Sequence, residues 1–226
     1  MNPHYTYLFI LIGALAGPLL LSFDKKVAFY KKWKAFGKAM IMPALFYIVW
    51  DVVFTQRGIW SFNENYITGI KIINLPIEEV LFFFIVPYCC VFIVSCIETY
   101  FPSVTSGPAI DFVFKILGVL LAVAAMYYHD RAYTFFTFFF TSIFIFIISS
   151  KKYFTAFNTS NFLVSYAVIL IPILIVNGLL TSIPVVLYND NENMGYRIYT
   201  IPFEDIFYGM LLVMMNVAGY EKLKTK

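Results

Sequence analysis

Seven apolar stretches, each close to the length needed to cross a bilayer, dominate this sequence: residues 5–23, 37–54, 76–97, 111–128, 132–149, 162–186 and 202–219. A helix rises about 1.5 Å per residue, so about 20 apolar residues cross a hydrocarbon core of about 30 Å. Lipid offers no water to an open backbone, so such stretches read as helices. The expected fold class is an all-α membrane protein with seven transmembrane helices. Composition agrees, with 61% of the 226 residues apolar and 13% charged, against about 45–50% and about 25% in soluble domains. These values exclude a soluble globule, a disordered chain and a nucleic-acid-binding domain, so no nucleic-acid partner is expected and the lipid bilayer is.

Lysine and arginine orient such a chain, because positive loops stay cytoplasmic. With alternating sides, twelve of them share one face, from Lys25 through Lys38, Lys115, Lys151, Lys152 and the C-terminal lysines up to Lys226. The opposite face has four: Arg57, Lys71, Arg131 and Arg197. The expectation is a multi-pass protein of the cell membrane, N-terminus outside and C-terminus cytoplasmic. The first stretch lacks a basic start and a small-residue cleavage site, so it reads as a span and not a secretory signal.

The chain also repeats. A shift of 126 residues without gaps lays Lys25-Lys26 on Lys151-Lys152, Asp51 on Asn177, Thr55 on Thr181 and Gly69 on Gly195. It also lays Pro76-Ile77-Glu78-Glu79 on Pro202-Phe203-Glu204-Asp205. Residues 51–79 give seven identities in 29 positions, where chance gives roughly two in a self-comparison of this kind. Spans one to three therefore correspond to spans five to seven, with span four as a linker, a 3+1+3 design of two parallel three-helix repeats. The expected units are a first repeat over 1–100, a linker helix over 101–130 and a second repeat over 131–226, with a site between the halves.

The residues able to carry chemistry are the acids at the membrane. Pro-x-acid-acid is by itself a good helix start, since proline suits the first turn and acids meet the positive end of the helix dipole. Both copies keep two acids there, however. Asp51 lies within span two about one turn from its outer end, level with Glu78 and Glu79, and Asn177 is its polar counterpart. Acids inside a span cost about 2.5–3.5 kcal/mol on insertion scales and usually face a bundle interior. Neighbours on a helix point about 100° apart, so only one acid of each pair can aim at a central cavity. Several carboxyls in a poorly solvated cavity cannot all ionise, which leaves a protonated acid beside an ionised one. The abundant aromatics, including Phe82-Phe83-Phe84, Phe207-Tyr208 and Trp50, mostly face lipid or pack helices; together they suit a tunnel for a long apolar substrate and can steady a carbocation. The outer loops at 60–65 and 188–192 read as a lid over each half. Asp130 and Arg131 read as a surface turn, and Cys89 and Cys90 as buried small apolar residues.

No G-x-G-x-x-G or P-loop is present, span seven contains no lysine for a retinal Schiff base, and no D-D-x-x-D cluster is present. The three cysteines lie in one apolar run and the two histidines are His4 and His129, which suggests no metal site.

Two tandem three-helix units, each with Pro-x-Glu-(Glu/Asp) opening its last helix, resemble the fused form of the heterodimeric, CarR-type membrane lycopene cyclases. The resemblance covers nearly the whole chain. It implies an enzyme of carotenoid biosynthesis acting on lycopene or another acyclic carotene, with no consumed cofactor and with other carotenoid enzymes as partners. An acid protonates the terminal double bond of an end group, the tertiary cation closes a six-membered ring, and a base removes a ring proton. Carried over by residue, Glu78, Glu79, Glu204 and Asp205 supply acid and base, with Glu78 and Glu204 favoured because that position is identical in both halves. Asp51 and Asn177 would position or tune them. The rival readings are an end-group hydratase, which quenches the same cation with water, and a proton-coupled small-solute transporter. A purely structural partner of carotenoid enzymes is a further alternative.

Overall fold

A computed structural model describes residues 2–102 and 107–224; Lys226, counted above among the cytoplasmic lysines, lies outside the described residues. Seven long helices follow the seven apolar stretches: α1 (Thr6–Leu21), α2 (Trp33–Gln56), α3 (Ile77–Tyr100), α4 (Pro108–Tyr127), α5 (Ala132–Ser149), α6 (Thr159–Ser182) and α7 (Glu204–Lys224). α6 stops short of the expected end at 186, because Pro184 follows at once and a proline disfavours helical geometry before it. Six of the helices are long and apolar enough to cross a membrane. α7 is the exception in composition, not in length, since its 21 residues reach about 31 Å. It carries Glu204, Asp205, Asn216 and Glu221 as buried residues. It packs against α2, α3, α5 and α6, so it has little need of a lipid-facing apolar surface.

The duplication is visible in three dimensions. α5 and α6 begin 126 residues after α1 and α2. α1 packs on α3 as α5 packs on α7, and α2 packs on α7 as α6 packs on α3. Between α2 and α3 the chain forms strand β1 (Trp60–Phe62) and the hairpin β2 (Lys71–Ile72)–β3 (Leu75–Pro76); between α6 and α7 it forms β4 (Val186–Tyr188) and the hairpin β5 (Arg197–Ile198)–β6 (Ile201–Pro202). β1 and β4 pair antiparallel, with Ser61 opposite Leu187 at the centre. Those two residues are 126 apart, so the ribbon's midpoint lies on a two-fold pseudo-axis relating the halves. The fourth helix lies outside this symmetry and packs on α5. Gly118 makes that crossing close, since a Cβ there would sit 3.0 Å from Ile145 Cγ2, and the Ser142 hydroxyl donates to the Gly118 carbonyl at 2.7 Å.

Each hairpin is entered through a glycine of positive φ, Gly69 at 84° and Gly195 at 79°. An L side chain in that region costs on the order of 1–2 kcal/mol. Gly195→Ala is therefore expected to destabilise the protein by on the order of 1–2 kcal/mol, seen as a lower melting temperature in detergent. An unchanged melt would show that the turn carries no such strain.

Candidate active site

The start of α3 separates its two acids. Pro76 sits at the N-cap with extended backbone, and Glu78 and Glu79 occupy the first turn, where the helix dipole favours negative charge. Glu78 turns back to the loop before it and accepts the Thr68 N–H at 2.7 Å. In the second half, Glu204 accepts the Met194 N–H at 2.7 Å and the Thr134 hydroxyl at 2.5 Å. Thr68 and Met194 are again 126 apart, so the identical glutamate of each motif plays the same part and ties the outer loop to the helix start. One residue on, about 100° around the helix, Glu79 and Asp205 face inward and line the main cavity.

That cavity has a volume of about 660 Å³ and lies among α1, α3, α6 and α7, beneath the β1–β4 ribbon. Its lining is mostly apolar, with Asp51, Glu79, Asn177 and Asp205 as convergent polar groups, the usual anatomy of a small-molecule site. The Trp60 indole N–H donates to Asp51 Oδ1. Asp51 Oδ2 is buried without a hydrogen-bond partner among the described residues, with Thr55 alongside. The Tyr7 hydroxyl donates to Glu79 Oε2 at 2.5 Å. Asp205 takes three donors: the Tyr133 hydroxyl on Oδ1, and on Oδ2 the Asn177 amide at 3.0 Å and the Tyr188 hydroxyl at 3.2 Å.

Two of these partners carry no mark in the sequence. Tyr7 and Tyr133 are 126 residues apart and each donates to the cavity acid of its own half. The 126-residue shift does align them, but an isolated tyrosine in an aromatic-rich helix carries no motif.

The aromatic residues divide. Phe82 and Tyr208, another pair 126 apart, line the cavity with Trp60, Tyr133 and Tyr188, whereas Phe83 is buried in the core. Tyr133 and Tyr188 stack with centroids 5.7 Å apart, and Trp60 meets Tyr133 edge-on at 5.3 Å. Cys89 and Cys90 also line the cavity, so they are wall residues as well as packing residues. The two loops do not form a separate lid over each half but join in the single β1–β4 ribbon that sends Trp60 and Tyr188 into one cavity. The second loop is further braced from the surface. Arg197 pairs with Asp190, and Arg131, expected as a plain surface residue, donates to the Asn193 carbonyl. The Asn193 amide, and then the Arg197 guanidinium, hold the Asp190 carboxyl below its ordinary range. That brace is present at neutral pH and is lost only as pH falls through the lowered value.

The structure thus brings Asp51, Glu79, Asn177 and Asp205 together and sets Glu78 and Glu204 apart from the cavity lining. Identity between the halves is what favours Glu78 and Glu204 in the sequence, and in the structure the two share a contact with a loop N–H.

The model of one protein family, described as lycopene cyclase, matches this chain twice, over residues 4–97 and 130–223. The chain belongs to the lycopene cyclase family. The two matched blocks of this cyclase-family chain are offset by 126 residues, the same shift that relates its helices and strands, and they leave out α4. Proteins named lycopene beta-cyclase from two strains of Halobacterium salinarum are each 38% identical over 56 residues. That stretch is 25% of this chain and 24% of each relative, so it spans about a quarter of their length. No solved structure matches.

Proposed function

We propose that this protein is a lycopene cyclase that converts acyclic carotene ends to β-ionone rings by acid catalysis. The observation that carries this reading is a set of three carboxyls converging in one apolar, aromatic-walled cavity inside the helix bundle of a lycopene cyclase family chain. The substrate is a hydrocarbon, which suits a wall with few polar groups. Its reactive end needs a proton, which the carboxyls supply.

In this reading Glu79 delivers the proton to the terminal double bond, with Asp51 as a second carboxyl of the same cavity wall. Two carboxyls sharing one poorly solvated site do not both ionise, so one keeps a proton. The tertiary cation formed is attacked by the internal double bond, closing the six-membered ring. The faces of Trp60, Tyr133 and Tyr208 steady the positive charge. Asp205, which accepts three hydrogen bonds, serves as the base that removes the ring proton. One proton enters and one leaves, so atoms and redox level are conserved and no cofactor is consumed. Asn177, Tyr7, Tyr133 and Tyr188 position the carboxyls, and Glu78 and Glu204 hold the loops. The lysine-rich face is read as cytoplasmic, with the cavity toward the outer side of the cell membrane.

The test is pigment analysis of a bacterial host that accumulates lycopene. Expression is expected to give a pigment of unchanged mass and shorter-wavelength absorption. A product heavier by water would make the protein a hydratase. Unchanged lycopene beside inserted protein would overturn the reading, and proteoliposome uptake would then test the transporter.

A further inference from the structure

The two-fold pseudo-symmetry predicts two equivalent paths from the lipid to the acids: one between α1 and α6, the other between α5 and α2. The structure carries one through to the acids and stops the other short of them. Between α1 and α6 the cavity runs out to Phe9, Ile175 and Leu179, which line it and are 46%, 59% and 41% exposed on the lipid-facing surface. Between α5 and α2 lies a groove of about 550 Å³ whose lining contains none of the carboxyls.

The difference is written in residue pairs 126 apart. Ala14 on the first path corresponds to Phe140 on the second, Ile10 to Phe136, Pro172 to Phe46 and Val176 to Trp50. The large members lock together. Phe140 lies 5.4 Å from Phe46 and 5.2 Å from Trp50, centroid to centroid. Phe136 stacks on Phe140 at 5.8 Å, and Trp50 abuts the cavity residue Tyr208 at 5.2 Å. This cluster stands where the opposite path is open, and its locked rings form the wall of the groove and separate it from the carboxyls.

Resting on the cyclase reading above, we propose that an acyclic carotene end reaches the acids only from the lipid between α1 and α6, the symmetry-related path being closed by Phe46, Trp50, Phe136 and Phe140. The residues of the entrance are then specificity-determining positions. Ala14→Phe installs on the open side the residue that closes the other.

The test compares the wild type with Ala14→Phe, Gly13→Phe and Phe140→Ala in nanodiscs containing lycopene. Gly13→Phe guards against a folding failure, since a Cβ at Gly13 meets nothing within 4 Å. Two readouts are taken: quenching of tryptophan fluorescence by bound carotene, and conversion to product. Ala14→Phe and Gly13→Phe are expected to lose both by about tenfold or more, and Phe140→Ala to stay within about threefold of wild type. Full quenching and conversion in both entrance variants would overturn the proposal, as would loss in Phe140→Ala alone. Quenching without conversion in the wild type would sink the cyclase reading only, and the entrance would still be judged by which variants lose the quench. Absence of quenching in the wild type would overturn both.

Discussion

Glu79→Gln and Asp205→Asn are each expected to lower cyclisation by about 10²–10⁴-fold in protein that remains folded and inserted. Glu78→Gln and Glu204→Gln are expected to keep activity within about tenfold of wild type and to lower the melting temperature instead. The contrast follows from a single helical step. Glu78 and Glu204 accept loop N–H groups, which an amide oxygen can also do. Glu79 and Asp205 face the cavity, where an amide of the same shape can neither give nor take a proton. In Glu79→Gln the amide oxygen can still accept from Tyr7, whereas in Asp205→Asn the donors on one of the two oxygens lose their acceptor. Pigment extracts from matched amounts of membrane protein, together with thermal melts in detergent, separate loss of chemistry from loss of fold. The reverse pattern, with Glu78→Gln inactive and Glu79→Gln active, would return the chemistry to the position identical in both halves.

Asp51→Asn is expected to be nearly as damaging, again about 10²–10⁴-fold. The substitution gives the first half the residue that the second half already has, Asn177. The Trp60 indole can still donate to the remaining carbonyl oxygen, so the ribbon contact and the fold survive. What disappears is the second carboxyl of the cavity, which the proposed mechanism uses to keep a proton available beside Glu79. Asp51→Glu, which restores a carboxyl on a longer arm, is expected to recover part of the activity. If Asp51→Asn turns over as the wild type does, the donor is Glu79 alone and Asp51 is a support for Trp60.

Much of the fold is legible in the sequence because lipid allows so few structures. Helix length, apolar pattern and a 126-residue shift together give the seven helices, the order of the halves and the level of the acids. The shift aligns Tyr7 with Tyr133, but no local motif marks them and their contacts with the acids emerge only in the structure. Which acid of each pair turns inward is not legible. Glu78 and Glu79 are chemically alike, and only the return of the loop, through a Thr68 N–H ten residues upstream, decides between them. Identity between repeats points to the member that holds the loop, because both halves make that contact. The joining of two loops into one ribbon is hidden for a similar reason. β1 and β4 are three residues each and more than a hundred residues apart, and no periodicity survives in so short a strand. The aromatic closure between α5 and α2 is in plain view as composition, but its meaning requires the pseudo-axis.

The most direct measurement is cyclisation of lycopene by the purified protein in deuterated water, with the products resolved by mass. A carboxyl exchanges its proton with solvent before each turnover, adds a deuteron to the end group, and the ring then loses an ordinary proton. The expected result is a carotene carrying one deuterium for every ring closed, formed by the wild type and absent with Glu79→Gln. Rings that form without deuterium would mean that no exchangeable acid starts the reaction, and the role given to Asp51, Glu79 and Asp205 would be wrong.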